Sequence, residues 1–272
     1  MKGSLDIGFA GASPAETRLT HLDQRAPLRA LFPHCPDMGL PVSAITATCG
    51  GFTGGDRLDL SVNVGPGAGL MAIGQAAEKI YRSTGADTAI NVTLKVGADG
   101  WLEWLPQETI LFRGSRLNRR TELHLETTSA AIAGEILVFG RQARGEKLSG
   151  GLVRDGWRVS RDGKLLWADT FQAADEDVAA ALDHPAALAG ARASAMLVHA
   201  GSNLAAALDF VRAKLATLNV PLRAAATLVN ELLVVRWLAA DAADIRPSFA
   251  AIWMGLRERR GLPANLPTFW HQ

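Results

Sequence analysis

Apolar and polar residues alternate along Leu58-Asp59-Leu60-Ser61-Val62-Asn63-Val64, the two-residue period of a strand with one buried face. Val92, Leu94 and Val96 repeat the pattern, and so does Glu122-Leu123-His124-Leu125. Gly97-Ala98-Asp99-Gly100 reads as a turn that leads into a strand from Trp101 to Leu105. Thr109 to Phe112 is the next strand, ended by Gly114-Ser115. Asp162-Gly163, between Trp157-Arg158-Val159 and Leu165-Leu166-Trp167, predicts a hairpin. From Leu58 to about Trp167, strand candidates recur at roughly ten-residue spacing with glycine-rich turns, which predicts a sandwich, barrel or solenoid. No fixed repeat chooses among these. Gln75 to Ser83 fits either a helix, through Ala76, Ala77, Ile80 and Tyr81, or a bulged strand.

The pattern changes towards the C-terminus. Asp175 to Ala193 is an alanine-rich connector, a loop or a short helix. Ala195 to His199 reads as a short strand. Ser202 is then the expected N-cap of a helix that presents Leu204, Leu208, Val211 and Leu215 on one face. Arg223 to Leu228 and Leu232 to Leu238 are two strands joined at Asn230-Glu231. Pro247 fits the first turn of a second helix, whose apolar face carries Phe249, Ile252, Trp253 and Leu256. Arg257, Arg259 and Arg260 favour its C-terminal dipole, and Gly261 ends it. The expected fold is therefore mainly β (α+β). A large β-rich body, sandwich or solenoid-like, spans 1–193, and a small C-terminal layer with two α-helices, 194–272, packs on it as one structural unit.

Bulk properties narrow the function classes. The chain has 272 residues and a formal net charge of +1, which gives no electrostatic footprint for nucleic acid. No apolar run approaches the ~20 residues of a membrane span, and no signal peptide is evident. These features, with only two cysteines, predict a cytoplasmic protein with reduced thiols.

The motifs are weak as catalytic signals. Gly50-Gly51-Phe52-Thr53-Gly54-Gly55-Asp56 lacks the Lys-Ser/Thr pair of a phosphate loop and reads as a tight turn needing positive φ or close backbone approach. Gly65-Pro66-Gly67-Ala68-Gly69 is another turn. Cys35 and Cys49 match no zinc spacing. His21, His124, His184, His199 and His271 are scattered, with no i, i+4 pair. No Gly-x-Ser-x-Gly elbow is present. Arg116-Leu117-Asn118-Arg119-Arg120 reads as a solvated basic loop or a partner contact. Glu103 and Glu108 invite comparison with the carboxylate pair of a glycosidase. Five-residue spacing puts them on opposite faces of a regular strand, although Pro106 breaks that regularity.

Read in order, several segments resemble the urease accessory protein UreD (UreH) family. They are Pro27-Leu28-Arg29, the Gly50 to Asp56 turn, Gln75-Ala76-Ala77 with Lys79-Ile80-Tyr81-Arg82-Ser83-Thr84-Gly85, and Leu102-Glu103-Trp104-Leu105-Pro106-Gln107-Glu108-Thr109-Ile110 with Phe112. Gly134-Glu135, Phe139-Gly140-Arg141 with Gly145-Glu146, and Leu266-Pro267-Thr268-Phe269-Trp270 complete the set. The resemblance runs from Pro27 to Trp270. It departs where relatives often carry a threonine pair and this chain has Ile73-Gly74.

That resemblance implies a β-rich body with two helices and a bulged strand at Gln75 to Ser83. It implies a non-enzymatic scaffold that binds UreF directly, the GTPase UreG through UreF, and apo-urease. It also implies no tightly bound cofactor but Ni²⁺ in transit through a tunnel. A transit path wants weak, multiple oxygen ligands. The carboxylates inside the family-like text are Asp56, Glu103, Glu108, Glu135 and Glu146, with Asp56 the first candidate because glycines flank it. The alternative is a β-rich carbohydrate-active enzyme using Glu103 and Glu108.

Overall fold

The structure is a computed structural model and describes residues 1–271; the side chains of Ala143 and His271, and all of Gln272, lie outside the described residues. In chain order it contains β1 (Lys2–Ala10), β2 (Arg18–Arg25), β3 (Leu28–Leu31), β4 (Val42–Ala47), β5 (Arg57–Val64), β6 (Gly69–Gly74), β7 (Glu78–Ile80) and β8 (Thr88–Val96). There follow β9 (Trp101–Leu105), β10 (Thr109–Leu111), β11 (Arg116–Leu125), β12 (Ala130–Phe139), β13 (Leu152–Arg161), β14 (Lys164–Ala174) and α1 (Glu176–Asp183). The chain continues through β15 (Ala193–Ala200), α2 (Leu204–Ala216), β16 (Leu222–Val229), β17 (Leu232–Ala239) and α3 (Ala242–Arg259).

The strands form two sheets. One runs β14-β13-β11-β8-β5-β1-β2; the other runs β16-β17-β15-β12-β9-β6-β4-β3, with the short β10 paired to β12 and β7 to β10. From β4 to β13 the chain alternates between the sheets, and successive strands within each sheet pair in parallel. The β body is thus solenoid-like. Its coils are unequal: Arg57 faces Ala89, Thr88 faces Leu117, and Arg116 faces Leu152. Unequal coils leave no fixed period for the sequence to display.

Two apolar layers result. Between the sheets, Leu60, Val62, Leu94 and Leu123 pack towards Leu70, Leu102, Ala131 and Ala133. On the outer face of the second sheet, Met71, Ile73, Trp101, Ile132 and Trp237 meet Val211 of α2 and Phe249, Ile252 and Trp253 of α3. The second sheet is therefore buried on both faces along β6, β9 and β12. Such strands carry continuous apolar runs and show no alternation, which hides β6 and β12 from a period-two reading. The N-terminal strands β1 to β4 were not anticipated either.

Most other expectations hold in outline. Asp162 and Gly163, at φ 49° and 77°, make the hairpin between β13 and β14, and Asn230 at φ 51° joins β16 to β17. Gln75 to Ser83 contains the strand β7, and the isolated bridges Phe52–Ile80 and Arg82–Ser115 flank it. In the 175–193 connector the short-helix alternative is the one found: α1 buries Val178 and Leu182. Three details differ. The N-cap of α2 is Asn203, left-handed at φ 52° with no side-chain cap, in place of Ser202. Helix α3 begins at Ala242, five residues before Pro247, because the Asp241 side chain accepts from the Ala243 amide at 2.9 Å. The expected basic loop at Arg116 to Arg120 is the first half of β11.

Candidate functional site

The buried polar centre of the molecule sits between the sheets. β11 points Leu117, Arg119, Thr121, Leu123 and Leu125 inward, so Arg119 falls within an otherwise mostly apolar stripe. β13 does the same with Val153, Asp155, Trp157 and Val159, and its register sets Asp155 directly beside Arg119. Glu135 extends from β12 across the interior. Arg119 donates to Asp155 through Nε at 3.0 Å and also through Nη2. It reaches the other sheet through Nη2 to Glu135 at 2.6 Å and Nη1 to Thr109 at 3.0 Å. This guanidinium therefore ties the two sheets together by charge-assisted bonds.

The charges do not balance. One arginine serves the carboxyl groups of Asp155, Glu135 and Glu78. Burial, and then the neighbouring Asp155, push the Glu135 carboxyl up to about 8, against the pull of Arg119 and a weak pull from the Trp157 indole. Glu78 is likewise raised by burial. Burial alone would lower Arg119, but Asp155 and Glu135 hold it charged and raise it. Burial and the excess of carboxyl groups thus favour holding a proton within this cluster.

Glu135 is not sealed in: 12% of its side chain is accessible. Two cavities adjoin there. The first, ≈160 Å³, runs from Cys49, Gly50 and Gly51 past Glu78 and Arg119; the second, ≈300 Å³, runs past Asp155 and Ser194 to Asp169 and Arg236. Glu135 and Trp157 line both, so the two cavities meet at these side chains in an inter-sheet lane of mixed polar and apolar lining. The glycine loop at the far end of the first cavity needs its glycines. A Cβ on Gly51, at φ 144°, would lie 2.6 Å from the Lys79 carbonyl, and one on Gly54 would lie 2.5 Å from the Ala86 carbonyl.

The five carboxylates singled out by the sequence are not brought together. Each has a cationic partner of its own. Asp56 accepts from the Met1 amine and from the Thr53 amide at 2.9 Å. Glu103 pairs with Arg257, Glu108 with Arg246, Glu135 with Arg119, and Glu146 with Arg141. Of the five, only Glu135 lines the inter-sheet cavities. Glu103 and Glu108 both face α3, in place of the expected opposite faces, because the chain leaves the strand at Pro106. They share no cavity, and each is held by a different arginine, which removes the geometry of a catalytic pair. Among the described residues, no group of three His, Cys, Asp or Glu side chains is placed to hold a metal ion. Cys35 and Cys49 are free thiols, and burial, then Asp37, raise Cys35.

Arg119, Asp155 and Glu78 were missed as site residues. The signal was present for the first two. A charged residue in phase with an apolar stripe, as in Leu117-x-Arg119-x-Thr121-x-Leu123, marks a buried charge that requires partners.

Among the described residues, no helix is long and apolar enough to cross a membrane. The family described as UreD urease accessory protein matches residues 1–271. The urease accessory protein UreD of Magnetococcus marinus is 44% identical over 259 residues, covering 94% of this chain and 89% of the relative. That of Methylobacterium sp. 4-46 is 40% identical over 272 residues, covering 99% and 94%. The urease accessory protein UreD 3 of Methylorubrum extorquens is 40% identical over 258 residues, covering 92% and 85%. The solenoid-like β body and this match along nearly the whole chain lead to one conclusion: the chain belongs to the UreD urease accessory protein family.

Proposed function

We propose that this chain is a non-enzymatic, cytoplasmic scaffold of urease maturation that binds UreF, UreG through UreF, and apo-urease, and passes Ni²⁺ along the inter-sheet lane. The observation that carries this reading is Glu135, a carboxyl group at the junction of two cavities, with a second carboxyl, Asp155, beside it. Oxygen donors of this kind hold Ni²⁺ weakly enough to release it. Arg119 raises the cost of a cation in the lane. The surplus of carboxyl groups over that one guanidinium offsets this once a proton leaves. Leu19, Leu22, Leu31 and Phe32 are exposed on and near the adjoining strands β2 and β3, which supports a protein partner on that side.

The test is co-expression with UreF, UreG and the urease subunits, reading nickel per urease active site. Glu135→Gln keeps the shape of the side chain and removes the charge. The expected result is several-fold lower nickel loading while the chain still co-purifies with UreF and apo-urease. Full loading at the wild-type rate would remove Glu135 from the path. Asp56→Ala in the same assay tests the glycine loop separately, and Glu146→Gln, outside the lane, is the control.

A further inference from the structure

On the helix side of the second sheet, away from the inter-sheet lane, lies a separate cavity of ≈230 Å³. It is walled by β9, the end of β15, the start of α2 and the end of α3. Its ionisable groups are all basic: His199, Arg259 and Arg260, with no carboxylate on the wall among the described residues. The two guanidinium groups lie over the Phe210 and Trp101 rings, at 4.5 Å and 5.6 Å, and no ion pair engages them among the described residues.

His199 is 7% exposed. Its Nδ1 is 3.0 Å from the Ala131 carbonyl oxygen, which only accepts, so Nδ1 carries the proton. Nε2 is left without a partner and faces the turn into α2: a Cβ on Gly201 would come within 2.9 Å of it. In that turn Asn203 takes a left-handed conformation and provides no side-chain cap. The first turn of this 13-residue helix has no side-chain cap, and Asn203, Ala206 and Ala207 line the same cavity. A helix N-terminus without a side-chain cap and two guanidinium groups without an ion pair all favour an anion, and the unused His199 nitrogen can join them once it is protonated.

We propose that this cavity binds a small oxyanion of the carboxylate or phosphate class, held by the first-turn amides of α2, Arg260 and His199. Helix N-termini bind such groups through amides and dipole together. His199 joins as a donor when Nε2 takes a proton from solvent. Burial lowers its pKa to about 4, and among the groups that face it the Ala131 carbonyl of β12 raises it while Arg260 of α3 lowers it further. Trp101 of β9 contributes a ring edge and no charge. An anion favours the imidazolium, so binding draws in a proton and tightens as pH falls.

The test is NMR of the His199 ring in the full chain, titrated with inorganic phosphate and with acetate at constant ionic strength, with chloride as control. A saturable shift with phosphate or acetate, accompanied by a rise in the His199 pKa, is expected. Arg260→Gln, at an exposed position, should weaken it about tenfold. Ala206→Glu, which places a carboxylate on the cavity wall, should abolish the response. A peptide with a free C-terminal carboxylate, compared with its amidated form, distinguishes a protein tail from a free ion, and either source supports the site. No saturable shift with either anion, an equal shift with chloride, or an unchanged affinity in Arg260→Gln would overturn the proposal.

Discussion

Glu103 and Arg257 form an ion pair in which both side chains are 0% exposed. The carboxylate also accepts from the indole N–H groups of Trp101 at 2.9 Å and Trp253 at 2.7 Å. The guanidinium also donates to the carbonyls of Met38 at 2.6 Å and Pro263 at 3.0 Å. Such a pair adds little over an apolar substitute of equal volume, but removing one member strands the other. Glu103→Leu or Arg257→Met alone should therefore cost about 3–5 kcal/mol of unfolding free energy. The double variant should cost much less than the sum of the two. Urea denaturation measures all three, and additive costs would show that the pair is not coupled.

Arg246 is the second pin of α3. It donates to Gln107 Oε1 at 3.0 Å, to Glu108 and to the Trp270 carbonyl, and stacks over the Trp270 ring at 4.4 Å. The eleven-residue step from Arg246 to Arg257 is close to three full turns, so both arginines leave the same face of the helix. Arg246→Ala should cost about 2 kcal/mol. The loss should concentrate in the segment after Gly261, read as faster amide hydrogen exchange there than in β11.

The cluster around Glu135 makes stability depend on pH. Its folded pKa, about 8, lies above the ordinary carboxylate range, so the folded state holds a proton that the unfolded chain has released. Stability from this group is complete below the unfolded pKa and is lost as pH rises through the folded value. Between roughly pH 5 and 8 the slope is negative and at most about 1.4 kcal/mol per pH unit. Urea midpoints measured across that range should fall for the wild type and fall less steeply for Glu135→Gln, in which Glu78 still carries a raised pKa. Parallel curves would place the proton elsewhere in the cluster.

Gly54→Ala tests the glycine loop. Its added Cβ would lie 2.0 Å from Ser83 Oγ and 2.5 Å from the Ala86 carbonyl oxygen, and Ser83 Oγ itself donates to that carbonyl at 2.5 Å. The hydroxyl has nowhere to turn without breaking its own bond. A cost of about 1–3 kcal/mol is expected, read as a lower urea midpoint. Gly145→Ala is the comparison: its Cβ would meet nothing within 4 Å, so only its φ of 66° costs it.

Half-buried strands were legible because one face meets water: β5, β8 and β13 alternate cleanly. In the second sheet β6 and β12 were not, since apolar residues on both faces erase the alternation. The start of α3 was misplaced at Pro247 because proline at a first turn is the commoner arrangement, and the real start depends on one side chain, Asp241. Of the candidate carboxylates, Glu135 alone lines the inter-sheet cavities, and nothing in its immediate text distinguished it. What distinguished it was the register of β11 and β13, which sets Arg119 and Asp155 across from it, and register is a property of paired strands that no single segment carries.

The two pins of α3 also set an order of events during synthesis. Glu103 and Glu108 leave the ribosome long before Arg246 and Arg257. Until those arginines emerge, Met71, Trp101 and Ile132 lack the cover that α3 gives the helix side of their sheet, and a nascent chain in that condition is open to aggregation. The closing helix is thus the latch of the molecule. A ribosome that stalls within α3 leaves a β body that is still unfastened.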